Sequence, residues 1–141
     1  MSEHPLFMSI QHVEILNRRL SEADSVKELC AKLERDLSLL YDMTGGPDGA
    51  AVYWRTDFSR VDGARFSLER GIGAPDVAIT GSYWDVLDAL QGQSAMPAPQ
   101  GGADDIGTIM GLLSSNEMKQ CAVPVTWPTQ AKNTVPDILG T

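Results

Sequence analysis

Cysteine, histidine and positive charge are all scarce in this chain of 141 residues. Its two cysteines, Cys30 and Cys121, are too far apart for a zinc pattern and contain no CxxC pair. Its two histidines, His4 and His12, have no partner at ligand spacing, and no HExxH, HxH or Cys/His cluster exists. Solvated histidines and no metal are therefore expected. Lys and Arg number 11 against 19 Asp and Glu, a net charge of −8, and the only adjacent basic pair is Arg18–Arg19. Such a field repels nucleic acid and acidic lipid surfaces, so neither is an expected partner.

Long apolar runs are missing too. No segment approaches the run of about 20 apolar residues that spans a bilayer, which argues against stable membrane insertion. Met1 to Leu20 carries His4, Glu14 and Arg18 through its apolar stretch and lacks a basic leader, so no signal peptide is expected. With two thiols and no targeting signal, the expected compartment is a reducing cytoplasm. Cys30 falls on an apolar helix face and reads as a small buried hydrophobe. Other familiar chemistry is equally absent. Gly71-Ile72-Gly73 starts like a dinucleotide fingerprint, but Asp76 stands at the third glycine and a strand follows. Ser82 lacks the glycines of a nucleophile elbow, and Asp104-Asp105 has no further carboxylates at calcium-loop spacing.

What is present is the patterning of one α/β (α+β) domain covering residues 1–141, with its core over about 6–127 and a C-terminal tail at 128–141. Leu6, Ile10, Val13, Leu16 and Leu20 recur at helical spacing and predict a helix from about Pro5 to Leu20. Phe7, Met8 and Ile15 lie off that stripe. A second helix is expected from Ser25 to about Arg35, opened by a Ser25/Glu28 capping box. Residues 37–43 fit either period: Leu37, Leu40 and Tyr41 continue a helix, whereas Leu37, Leu39, Tyr41 and Met43 alternate as a strand. The dense turn chemistry of Gly45-Gly46-Pro47-Asp48-Gly49 favours the strand, because it would join this segment to Ala50–Phe58 as a hairpin. In that second strand Val52, Trp54, Thr56 and Phe58 share one face, and Tyr53, Arg55 and Asp57 the other. Asp62-Gly63 turns the chain into a third strand, Ala64 to Arg70. A fourth follows at Asp76 to Thr80. Ser82 caps a helix, Tyr83 to Leu90, with Trp84, Leu87 and Leu90 as its buried face. Gln91 to Asp104 reads as a mobile loop, Asp104 to about Leu113 as a helix, and Ala122 to Trp127 as the last strand.

Trp54 on the second strand, Phe66 and Leu68 on the third, the run Pro75-Asp76-Val77-Ala78-Ile79-Thr80-Gly81-Ser82 and a helix ending before Gly92 together resemble the sterol carrier protein type 2 family. The resemblance covers about Leu6 to Trp127, and the order of the motifs carries more of it than any one of them. It implies a five-stranded, mostly antiparallel sheet with helices packed on one face. It also implies an internal hydrophobic tunnel that takes a lipid, sterol or other hydrophobic metabolite without a cofactor. Carried over, Trp54, Phe58, Phe66, Leu68, Trp84 and Leu87 would line that tunnel, with Met96 and Met110 beside them. The chain departs from the family between Met96 and Gln120, where Pro97-Ala98-Pro99-Gln100-Gly101-Gly102 replaces the usual Gly-Lys turn.

The blander reading is that Trp54, Phe66 and Trp84 fill an ordinary core, since one apolar sheet face is expected of any such domain. Two other functions are open. A small cofactor-free isomerase or cyclase would need one inward carboxylate, for which Asp57, Asp85 and Asp88 are the weak candidates. Asp85 is better explained as helix-start acid, and Asp57 points outward in this register. A homodimer with a closed core could instead use Phe7, Met8 and Ile15, unless Val135 and Ile138-Leu139 of the tail cover them.

Overall fold

A computed structural model describes residues 4–129. The central segment Leu37–Thr44 is a strand (β1). Its residues Leu37 to Tyr41 are all buried, as expected of a strand with neighbours on both edges. Beyond the glycine-rich turn, Val52–Ser59 (β2) returns antiparallel, with Tyr41 opposite Trp54 and Leu39 opposite Thr56. At Gly63, φ is +86° and an added Cβ would press on Lys27, so a glycine suits the turn that starts Gly63–Ser67 (β3). β3 is shorter than the expected third strand.

Val77–Ser82 (β4) lies parallel to β1, with Leu39 beside Val77 and Tyr41 beside Ile79. The fifth strand (β5) is only Gln100–Gly101, antiparallel to β4. The sheet order is β3-β2-β1-β4-β5, with one parallel pairing among three antiparallel ones. This is the expected five-stranded, mostly antiparallel sheet, but its fifth strand sits where a mobile loop was expected. The cause is local: an added Cβ at Gly101 would collide with the Asp76 carbonyl, and only glycine lets the edge approach β4 so closely. The segment 122–127 is not a strand of the sheet. The Thr126 backbone pairs with the N-terminal segment instead, its N–H donating to Pro5 O at 2.9 Å and its carbonyl accepting from Phe7 N at 3.0 Å.

That same pairing shortens the first helix. Residues 5–7 spend their backbone on Thr126, and Met8 adopts a left-handed φ of 63°, so α1 runs only over Ile10–Ser21. Ser9 caps it, accepting from His12 N at 3.1 Å. α2 spans Asp24–Ala31; it begins one residue before Ser25, so the Ser25/Glu28 capping box does not form. α3 (Tyr83–Leu90) is capped by Ser82 as expected, and α4 (Ala103–Leu113) and the short α5 (Asn116–Lys119) follow. α1 and α2 lie over β3 and β2, while α3 and α4 lie over β1, β4 and β5. All contribute to one apolar layer, with Leu20, Val26, Cys30, Val86 and Ile109 packed against Leu39, Met43, Phe58, Val77 and Ile79. Burying each Val, Leu, Ile or Phe side chain here contributes roughly 1.5–3 kcal/mol. Cys30 is fully buried, and that burial pushes its thiol pKa up.

Candidate functional site

Strand alternation sets the site. Leu37, Leu39, Tyr41 and Met43 of β1, Trp54, Thr56 and Phe58 of β2, and Ala64 and Phe66 of β3 all face the helices. Of the eight residues expected to contact a ligand, Trp54, Phe58, Phe66 and Leu87 are buried in the apolar layer. Leu68, Trp84, Met96 and Met110 are half-buried and pack against it. The phase of α3 differs from expectation. Tyr83, Val86 and Leu87 form its buried stripe, and Trp84 stands at the rim with its ring edge-on to Tyr83 at 4.9 Å.

One end of the layer is aromatic. Trp54 lies 5.1 Å from Phe66 and 5.7 Å from Phe7, and Phe7 lies 4.4 Å from Trp127, measured between ring centroids. His12, expected to be solvated, is buried in this cluster and stacks on Trp54 at 5.2 Å. Its Nδ1 accepts from the Met8 N–H at 3.0 Å, which leaves the neutral ring's proton on Nε2. Burial lowers its pKa. The spacing His12-Leu16-Leu20 at i, i+4 and i+8 is the signal that places it inside. Phe7 and Met8, read as a dimer surface, are taken up by the same cluster: Met8 is buried, and Phe7 and Ile15 are half-buried. Val135 and Ile138-Leu139 lie outside the described residues.

The layer holds few polar groups. Among the described residues, His12, Ser38 and Thr56 are the buried polar side chains besides the phenols of Tyr41 and Tyr83, and no Asp, Glu, Lys or Arg is buried. Ser38 lies on the opposite sheet face and is hydrogen-bonded to Asp76. Thr56 faces the helices at 1 % exposure, and its hydroxyl has no hydrogen-bond partner. An unpaired buried hydroxyl costs about 1–3 kcal/mol.

Two solvent-open grooves meet this layer around Leu68, just past the end of β3. One, of about 350 Å³, is lined by Met8, Val52, Tyr53, Leu68 and the turn residues Pro47, Asp48, Ala50 and Ala51. The other, of about 390 Å³, is lined by Ile10, Val13, Phe66, Ser67 and Leu68 with Glu14, Arg65 and Glu69. Leu68 is common to both, and Met8 and Phe66 on their walls belong to the buried layer. Two larger grooves, of about 620 and 610 Å³, are lined mainly by polar side chains and touch none of the eight expected contact residues.

The carboxylates considered for catalysis lie elsewhere. Asp85 and Asp88 are exposed on α3, and the Asp85 N–H meets the Ser82 cap. Asp57 faces away from the helices and pairs with Arg55, both of its oxygens 3.1 Å from Nε. Asp76 of the Pro-Asp motif is a clamp. It accepts from Ser38 N at 2.9 Å and from Arg35 Nη1 at 2.8 Å, while Arg35 also binds Asp105 of α4. Burial works to raise the Asp76 pKa, but the Arg35 and Ser38 hydrogen bonds outweigh it and the net shift is downward. Among the described residues, no group of three His, Cys, Asp or Glu could hold a metal ion, and no helix is long and apolar enough to cross a membrane.

No family model matches the chain, and no curated protein matches it. Solved structures do. A crystal structure of sterol carrier protein 2 superposes with a TM-score of 0.52 at 13% identity, covering 82% of this chain and 96% of that one. A conserved hypothetical protein of Thermus thermophilus, described as a candidate sterol carrier protein, superposes with a TM-score of 0.51 at 14% identity, covering 86% and 92%. The chain has the fold of these structures, and the resemblance read from Trp54, Phe66 and the Pro75–Ser82 run holds at that level.

Proposed function

We propose that this protein binds a small apolar molecule, such as a lipid, sterol or other hydrophobic metabolite, between the sheet and its helices, as a carrier or accessory protein. The observation that carries the reading is the pair of grooves flanking Leu68, whose walls Met8 and Phe66 are themselves part of the apolar layer. An apolar chain laid across Leu68 reaches the Trp54–Phe66–His12 cluster by displacing side chains rather than backbone. Trp54, Phe58, Phe66, Leu68, Trp84, Leu87, Met96 and Met110 are then its contacts, in an internal tunnel that opens around Leu68. Burying about 300 Å² of apolar ligand surface gains roughly 7 kcal/mol, close to the scale of a micromolar dissociation constant. No cofactor is needed for that. The binding unit is a single domain with residues 128–141 as its tail, and buried, unpaired Cys30 and Cys121 suit a reducing cytoplasm.

The test is saturable uptake of fluorescent fatty-acyl and sterol probes, with native mass spectrometry of the purified protein for any molecule carried through. Leu68→Glu places a charge between the two grooves and should weaken uptake at least tenfold while leaving the circular dichroism spectrum unchanged. A wild-type protein that takes up neither probe and carries nothing would refute the reading.

A further inference from the structure

Apart from the phenol of Tyr41 and the indole N–H of Trp54, the helix-side face of the sheet is apolar except at its middle. Thr56 sits there between Leu39 on β1 and Phe66 on β3, with its hydroxyl buried and unpartnered. A valine would fill the same volume and satisfy the strand equally well without leaving a desolvated hydroxyl. Thr56 itself lines neither groove, but Phe66, its direct neighbour in the sheet, forms part of the wall of the groove beside α1 and separates the hydroxyl from it by one side chain.

Charge narrows what could meet that hydroxyl. The buried layer holds no Lys or Arg among the described residues, and His12 is kept neutral because its Nδ1 is occupied by the Met8 N–H. The groove rims carry Asp48, Glu14 and Glu69 against the single cation Arg65. An ionised acid would cross an acidic rim into a layer with no counter-charge, where an unpaired carboxylate is strongly disfavoured. An alcohol or carbonyl oxygen meets neither obstacle, and a threonine hydroxyl can donate to it or accept from it.

We infer that the ligand is a neutral apolar molecule with one hydrogen-bonding oxygen, an alcohol or carbonyl compound rather than an ionised acid, and that the Thr56 hydroxyl receives that oxygen. This rests on the binding function proposed above and specifies its ligand class. The experiment is displacement of the neutral fluorophore N-phenyl-1-naphthylamine from the full chain at pH 8 by dodecanol and by dodecanoate. Dodecanol should bind about tenfold more tightly, the size expected of one buried hydrogen bond with no unpaired charge. Thr56→Val should weaken dodecanol binding about tenfold, whereas Thr56→Ser, which keeps the hydroxyl, should retain it. Equal affinity for the two compounds overturns the inference and leaves the binding function standing, as does dodecanol binding that is undiminished in Thr56→Val. Failure of the wild-type chain to take up the fluorophore, dodecanol or dodecanoate overturns both.

Discussion

The two faces of the sheet solve opposite problems with the same strands. On the face away from the helices, polar groups find partners. Arg55 is held by Asp57 and by the Arg70 carbonyl, and Asp76 by Ser38 and Arg35. Even Leu40, buried to 1 %, is flanked there by Arg55 and Ala78. On the helix side, surface is buried almost wholly as hydrocarbon and aromatic ring, and the Thr56 hydroxyl left inside has no hydrogen-bond partner. The outer face is stabilised by hydrogen bonds close to water, each worth about 1 kcal/mol net. The inner face is stabilised by area, so most of the stability belongs to it, and the proposed binding site lies against it.

The largest expected effect tests that division within one strand. Phe58 and Tyr53 both lie on β2, but Phe58 is fully buried against the helices while Tyr53 is half-buried on the outer face. Phe58→Ala should cost about 3–5 kcal/mol in urea unfolding. Tyr53→Ala should cost under about 1 kcal/mol. Comparable losses at the two positions would mean that the outer face carries as much of the fold as the inner one.

How far this division was legible in the sequence depends on the range of the interaction concerned. The register of β2 is readable from alternation alone, and with it the inward Trp54, Thr56 and Phe58 and the outward Asp57. β1 needed the turn at 45–49 to tell strand from helix, because its full burial blurs the period. Two-residue β5 offers no period, and its place follows from a glycine approach to Asp76. The late start of α1 depends on Thr126, more than a hundred residues away. On eight-residue α3, adjacent Tyr83 and Trp84 offer two phases, and the contacts with the sheet choose Tyr83. In the apolar layer, the burial of Trp54, Phe58, Phe66 and Leu87 was readable by type and spacing, whereas Leu68, Trp84, Met96 and Met110 are half-buried beside it. His12 was misjudged for its polarity, and the orphan state of Thr56 is visible only once every neighbour is placed.

A smaller effect is expected from the outer face's best-connected group. Asp76→Ala leaves the Ser38 N–H at the head of β1 without its acceptor and frees Arg35 from β4, at a cost of about 1–2 kcal/mol. The pH dependence gives a second readout. Because the Asp76 pKa is lower in the folded chain, its stabilisation is present above the ordinary aspartate range and is lost as pH falls through the folded value. The acid limb of a urea-midpoint profile below about pH 4 should therefore be shallower in Asp76→Ala than in the wild type. Parallel limbs would mean that the clamp contributes no charge-dependent stability.

The smallest effect is on the inner face and has a different pH signature. His12 is neutral in the folded chain because burial lowers its pKa, whereas in the unfolded chain it titrates near its ordinary value. The unfolded state then binds more protons as pH falls below about 6.5, so its stabilisation is present above that value and is lost through the lower folded one. Protonation also puts a second donor opposite the Met8 N–H, which now donates to Nδ1, and so works against the left-handed turn that leads into α1. His12→Asn keeps a side-chain oxygen able to accept while removing the titration. Between pH 7 and pH 5 the wild-type urea midpoint should decline more steeply than that of the variant. Identical slopes would mean that the imidazole reaches water when charged, and the inner face would then be less sealed around Trp54 than its packing indicates.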